Sequence, residues 1–94
     1  MAGNANIPYE CVESPLFDAQ ANELGLSPRV RDNHLSPCLF AIARVPEEFP
    51  CIAGTTIRRA MFKLPNGDDV RIWFDFNVAI VRLLSIEKVM PYGF

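Results

Sequence analysis

IAGTTIRRAMFKLPNGDDVRIWFDF, residues 52–76, is the stretch whose reading decides the fold. After Gly54 the side chains alternate with a period of two, the signature of a strand. Over Ile57 to Leu64 one face carries Arg58, Ala60, Phe62 and Leu64, and the other Ile57, Arg59, Met61 and Lys63. Pro65-Asn66-Gly67-Asp68 is a hairpin signal, because Asn and Gly tolerate the positive φ of a tight turn. Val70 to Phe76 then alternates strictly, with Val70, Ile72, Phe74 and Phe76 on one side and Arg71, Trp73 and Asp75 on the other. Asn77 marks a second turn, and Val78 to Val89 is rich in β-branched and apolar residues. Three such runs predict an antiparallel meander.

Upstream the punctuation changes. Ser-Pro occurs at Ser14-Pro15, Ser27-Pro28 and Ser36-Pro37, and serine at the cap followed by proline in the first turn opens a helix. The pairs predict helices over Pro15 to Leu24, stopped by Gly25, over Pro28 to about His34, polar and weak, and over Pro37 to Arg44. The last is apolar nearly all round, so burial against a sheet is expected. A short strand at Ile7 to Glu13 precedes them. The expected fold is α+β: a small antiparallel sheet with helices packed on one face, in the order β-α-α-β-β-β.

The 94 residues bound the rest: half are apolar, which suits a single domain over 1–94. A formal net charge of −2 excludes a simple polybasic nucleic-acid binder. Its distribution is uneven. Residues 1–56 set Arg29, Arg31 and Arg44 against Glu10, Glu13, Asp18, Glu23, Asp32, Glu47 and Glu48, a balance of −4. Residues 57–94 set Arg58, Arg59, Lys63, Arg71, Arg82 and Lys88 against Asp68, Asp69, Asp75 and Glu87, a balance of +2. Cys11, Cys38 and Cys51 form no CxxC pair and His34 is remote from them, so neither a metal site nor a cofactor is expected. Scattered thiols, and a start without a basic and apolar leader, predict a cytoplasmic protein. The longest apolar run, Val78 to Ile86, is broken by Arg82 and far short of the roughly 18 residues a membrane span needs.

The segments YECVESPLF, FPCIAGTTIRRAMF, DDVRIWFDF and AIVRLLSIEKV, taken in order over residues 9 to 89, resemble the RelE/ParE superfamily of bacterial toxins, closest to its HigB-like members. Those proteins show V-E-S/T-x-x-F after the first strand, then I-x-G-T-x-x-(I/L)-R-(R/K), and later strands reading R-(I/V)-(I/W)-Y/F and L-L-x-I-x-K. The resemblance implies the toxin of a type II toxin–antitoxin system: a ribosome-dependent mRNA endonuclease in one branch, a DNA gyrase inhibitor in the other, each held by a cognate antitoxin. The nuclease branch cleaves by attack of the RNA's own 2′-OH on the adjacent phosphate, without metal. Such chemistry needs cations for the developing charge and a placed proton donor and acceptor.

On this resemblance Arg59, Lys63 and Arg71 are the catalytic candidates, with Arg58, Trp73, Lys88 and Tyr92 for binding. Alternation constrains the set. Arg58 and Arg59 are neighbours in a strand and point to opposite faces. Arg58 shares a face with Phe62 and Leu64, which suits a snorkelling strand-end residue, whereas Arg59, Lys63, Arg71 and Trp73 share the other. A charged strand face is ordinarily just solvated; an aromatic among arginines turns it into a stacking platform or a protein anchor. Arg82 is expected to meet Asp75 across the hairpin as an exposed pair, His34 to be a surface or capping residue, and Tyr92 to fray or to serve as the terminal aromatic of the family. The hairpin loop Pro65-Asn66-Gly67-Asp68-Asp69 carries acids where RNA-cleaving members of that superfamily carry Lys and Arg. The resemblance makes the ribosome-dependent mRNA endonuclease the expected function; these acids, with the acidic N-terminal part, speak for the alternative, a non-catalytic inhibitor on the same scaffold that binds gyrase or a bacterial defence complex.

Overall fold

The second helix, read as weak from its polar composition, is held by its own arginine. In the computed structural model, which describes residues 8–90, α2 (Pro28–His34) buries Arg31, only 6% exposed. Its guanidinium donates to Glu13 and Asp18 carboxylates at 2.7 Å each, to Asn22 Oδ1 at 2.9 Å, and to the Leu26 and Asp18 carbonyls at 2.8 and 3.2 Å. One side chain therefore ties β1 (Glu10–Glu13) and α1 (Pro15–Glu23) to α2. Nothing in the periodicity of the sequence announced this network.

Ser14 caps α1 as expected: its Oγ accepts the Phe17 amide at 3.0 Å and donates to the Leu84 carbonyl at 3.0 Å, so the cap also fixes the helix to the sheet. Gly25, at φ 82°, ends the helix. The Leu26 N–H reaches Ala21 and the Gly25 N–H reaches Asn22, which satisfies two carbonyls left over at the helix end. Ser27 caps α2 in the same way, with a longer contact of 3.5 Å to Val30. The third serine does not cap. α3 (Ser36–Arg44) starts one residue earlier than expected, because Leu35 ends α2 and opens α3 at once, leaving Ser36 inside the first turn. Nor is α3 buried all round: Cys38, Ile42 and Ala43 face the core, while Phe40 stays 54% exposed with the Arg44 guanidinium over its ring. A 3₁₀ turn, Pro46–Glu48, follows.

The sheet comprises β1, β2 (Arg58–Lys63), β3 (Asp69–Phe76) and β4 (Ile80–Lys88) in the order β1-β4-β3-β2. The class is α+β, with two corrections of detail. All three expected helices form, one more than the order β-α-α-β-β-β counts, and the sheet is mixed, since β1 runs parallel to β4. The chain's path explains the second. The helical layer carries the chain from β1 to the far edge, where β2 starts in the same direction; two tight antiparallel connections then return it to β1's side, so β4 arrives parallel. The expected first strand is also shorter, beginning at Glu10, and Ile7 lies outside the described residues.

The buried apolar side chains of the sheet, Ala60, Val70, Ile72, Phe74, Val81, Leu83 and Ile86, face Phe17, Leu35 and Ile42 of the helical layer. The helices thus cover one face, and the other is open. Between β2 and β3 the Leu64 carbonyl accepts the Gly67 amide at 2.9 Å and Gly67 adopts φ 93°, a three-residue loop with glycine in the left-handed position.

Candidate functional site

Strand register brings the sequence candidates together in rows on the open face. Arg59 pairs with Trp73, which pairs with Ser85; Met61 pairs with Arg71, which pairs with Glu87; Lys63 pairs with Asp69. Arg59, Lys63, Arg71 and Trp73 therefore do share one surface. Arg58 lies on the opposite face, its Nη1 donating to the Phe49 and Glu47 carbonyls at 2.6 and 3.1 Å and its guanidinium 5.3 Å above the Phe76 ring. It closes the strand end over the core, away from the open face. Lys88 is the last residue of β4, at the end of the sheet beside the β2–β3 turn, where its Nζ lies 3.5 Å from Asp68. Tyr92 lies outside the described residues.

The electrostatics of the open face are set by its carboxylates. Glu87 Oε2 accepts from Arg71 Nη1 at 3.1 Å and from the Trp73 indole N–H at 2.9 Å, and the Arg71 guanidinium lies 5.7 Å from the indole centroid. Lys63 Nζ is 3.1 Å from Asp69. Arg82 meets Asp75 across the hairpin as expected, through a two-pronged contact whose Nε arm is 2.7 Å, but Asp75 is buried and only the arginine is exposed. Hydrogen bonding to Asp75, and then its charge, push the Arg82 guanidinium further up. Arg59 alone among the arginines of this face has no partner among the described residues.

Glu87 is the residue that sequence reasoning missed, and a β-bulge is why. Extending the Asp75–Arg82 pair in plain antiparallel register places Ile86 opposite Arg71. The register shifts between Trp73 and Phe74, where Leu84 is the extra residue of β4, so Arg71 faces Glu87 instead. The signal lies in β4 itself: Val81 and Leu83 point inward at odd positions and Ile86 at an even one. One residue must be unpaired to keep Ile86 in the core and Glu87 in water. Gln20 Oε1 of α1 accepts the Ile86 amide at 2.9 Å beside the bulge.

Elsewhere, Pro8, Tyr9, Cys11, Pro37, Phe40 and Ala43 line a shallow apolar groove of about 530 Å³ between β1 and α3. Burial pushes the thiols of Cys11 and Cys38 up, while Cys51 is exposed. His34 is half-buried, its Nδ1 enclosed and without a partner among the described residues. Among the described residues no three His, Cys, Asp or Glu side chains cluster to hold a metal ion, and no helix is long and apolar enough to cross a membrane. No protein-family model, curated protein or solved structure matches the chain.

Proposed function

We propose that the chain is a non-catalytic protein-binding domain on a RelE/ParE-like scaffold, an inhibitor that covers another protein with the open face of its sheet. The shared Glu87 carboxylate carries the reading: it takes the donors of both Arg71 and Trp73, at the centre of the face where a phosphate would sit. Cleavage by a 2′-OH needs cations free to receive charge as it develops, and Arg71 and Lys63 are each held by an acid. A protein interface asks for the reverse. It wants an aromatic anchor with an amphipathic tip, apolar neighbours and charges already matched. Trp73 is flanked by Arg59 and by the exposed Met61, and Val12 lies further along the same face beside Arg82.

One observation favours the second reading, a ribosome-dependent mRNA endonuclease: Arg59 is exposed and unpaired among the described residues, directly across from Trp73, so one cation and one stacking ring stand together. A cognate antitoxin is the partner that both toxin readings share. Mapping messenger-RNA 5′ ends after induction in a bacterial host separates the two. Intact messages are expected; codon-phased cuts that vanish in Arg71→Ala would establish the endonuclease and overturn the binding reading.

A further inference from the structure

The outer edge of β2 is half covered and half open, and the boundary falls at a proline. Ahead of β2 the chain doubles back: the Ile52 amide donates to the Ile57 carbonyl at 2.8 Å, the Arg59 amide donates to the Pro50 carbonyl at 3.0 Å, and Cys51 lies opposite Arg58. This ladder cannot continue. Pro50 has no N–H to return to the Arg59 carbonyl, and the next residue, Phe49, turns inward to pack on Phe62 and Phe74. Because the Arg59 amide points outward, alternation sends the amides and carbonyls of Met61 and Lys63 outward too, while Ala60 and Phe62 bond to β3. Among the described residues, nothing pairs with the edge from the Arg59 carbonyl to Lys63.

We propose that this edge accepts an extended protein segment as a fifth strand, with acidic and apolar side chains alternating on its open-face side. Such strand addition takes its affinity from main-chain bonds and its specificity from alternate side chains. The edge presents Arg59, Met61 and Lys63 on the open face. Pro50 already holds the place opposite Arg59, so the matching strand reads acid-x-apolar-x-acid with the apolar residue opposite Met61, which is 52% exposed, one acid opposite Lys63, whose ammonium it shares with Asp69, and the other acid where the strand parts from the sheet at Pro50, on the Arg59 side. A second copy of this chain is a poor occupant: antiparallel β2–β2 pairing about Met61 sets Arg59 directly opposite Lys63, and like charges so placed repel. The inference deepens the binding reading above and rests on it for the role of the open face.

The probe is a capped synthetic peptide, Thr-Glu-Val-Leu-Val-Glu-Thr, titrated into the full chain and followed by amide hydrogen exchange and by the fluorescence of Trp73, the sole tryptophan. Exchange of the Met61 and Lys63 amides should slow at least tenfold at saturation, whereas Ala60 and Phe62, already bonded to β3, should not change. A peptide N-methylated at alternate residues, and one with both glutamates replaced by lysine, should each bind at least tenfold more weakly; Arg59→Glu should recover part of the loss for the lysine peptide. Equal binding of the N-methylated peptide would overturn the inference. So would a Trp73 response without protection at Met61 and Lys63, an outcome that leaves the binding face standing and removes the added strand. Protection that depends on the protein's own concentration, with a doubled mass, would assign the edge to a second copy instead.

Discussion

Replacing Arg31 by alanine tests whether one buried guanidinium organises the N-terminal half. Its five hydrogen bonds reach β1, α1, the α1–α2 turn and two main-chain carbonyls. Removal affects these partners unequally. The Glu13 and Asp18 side chains are 31% and 52% exposed and rehydrate where they stand, so their attraction to the cation is discounted to the surface range of under about 1 kcal/mol each. The Leu26 carbonyl belongs to a buried residue and loses its side-chain donor, at a cost of about 1–3 kcal/mol. The alkyl stem is buried with the rest of the side chain, and its loss adds about 1 kcal/mol.

Together the substitution should cost about 3 kcal/mol, the lower end of what breaking a fully buried pair costs. With a urea slope of about 1.5 kcal/mol per molar, the unfolding midpoint should fall by about 2 M. Trp73 lies on the sheet and reports the transition by fluorescence. Arg31→Lys keeps the charge but cannot reach acid, amide and carbonyl with one rigid fork, so it should recover less than half of the loss. A cost below about 1 kcal/mol for Arg31→Ala would refute the reasoning, because the buried network would then be worth no more than a surface ion pair.

Two further outcomes are specific to the site and to the thiols. Glu87→Gln removes the negative charge shared by Arg71 and Trp73 while keeping a hydrogen-bond acceptor; affinity for a single-stranded RNA oligonucleotide at low salt, read by Trp73 quenching, should rise about fivefold, the equivalent of about 1 kcal/mol, and an unchanged affinity would show that Glu87 does not guard the face. At neutral pH a thiol reagent should label exposed Cys51 quickly, half-buried Cys11 slowly and buried Cys38 only on unfolding. Burial raises both of those thiols, so the fold favours the neutral form; that stability is complete below the unfolded thiol value of about 8.5 and is lost as pH climbs through the raised folded values. Urea midpoints should therefore decline above about pH 9 and decline less in Cys38→Ala, whereas a flat profile would contradict the burial of these groups.

Where one face of a segment meets the core, the sequence was legible. The strict alternation of Val70 to Phe76 survives as β3, Gly67 takes the left-handed turn position, and Ser14 caps α1. Such features are local, each set by two to eight consecutive residues. The second helix was harder, because its stability comes from Arg31 meeting acids that lie 13 and 18 positions away in sequence. The parallel placement of β1 was equally hidden: it follows from the path of the whole helical layer, not from the wording of the strand.

The most consequential gap was the one-residue slip in β4. Arg82 and Glu87 are five positions apart, an odd spacing that puts them on opposite faces of a regular strand, yet both are exposed on the solvent side. The sequence contains that conflict, since Ile86 cannot leave the core and Glu87 cannot enter it without large desolvation cost. A bulge resolves it, and in doing so chooses the chemistry of the face. Without the slip, Arg71 would face an isoleucine and stand open beside Trp73 and Arg59, a row of cations and a ring fit for phosphate and base. With it, Glu87 occupies that row and neutralises its centre. Arg59 is left as the one unpaired arginine of the face among the described residues, and it stands where the β2 edge begins to open. Charge, register and free main chain thus converge on one strip, Arg59 to Lys63, and they favour a strand bearing acids over a nucleic-acid backbone, because the strip alternates amides and carbonyls at the spacing of another strand's main chain, which a sugar-phosphate backbone does not match.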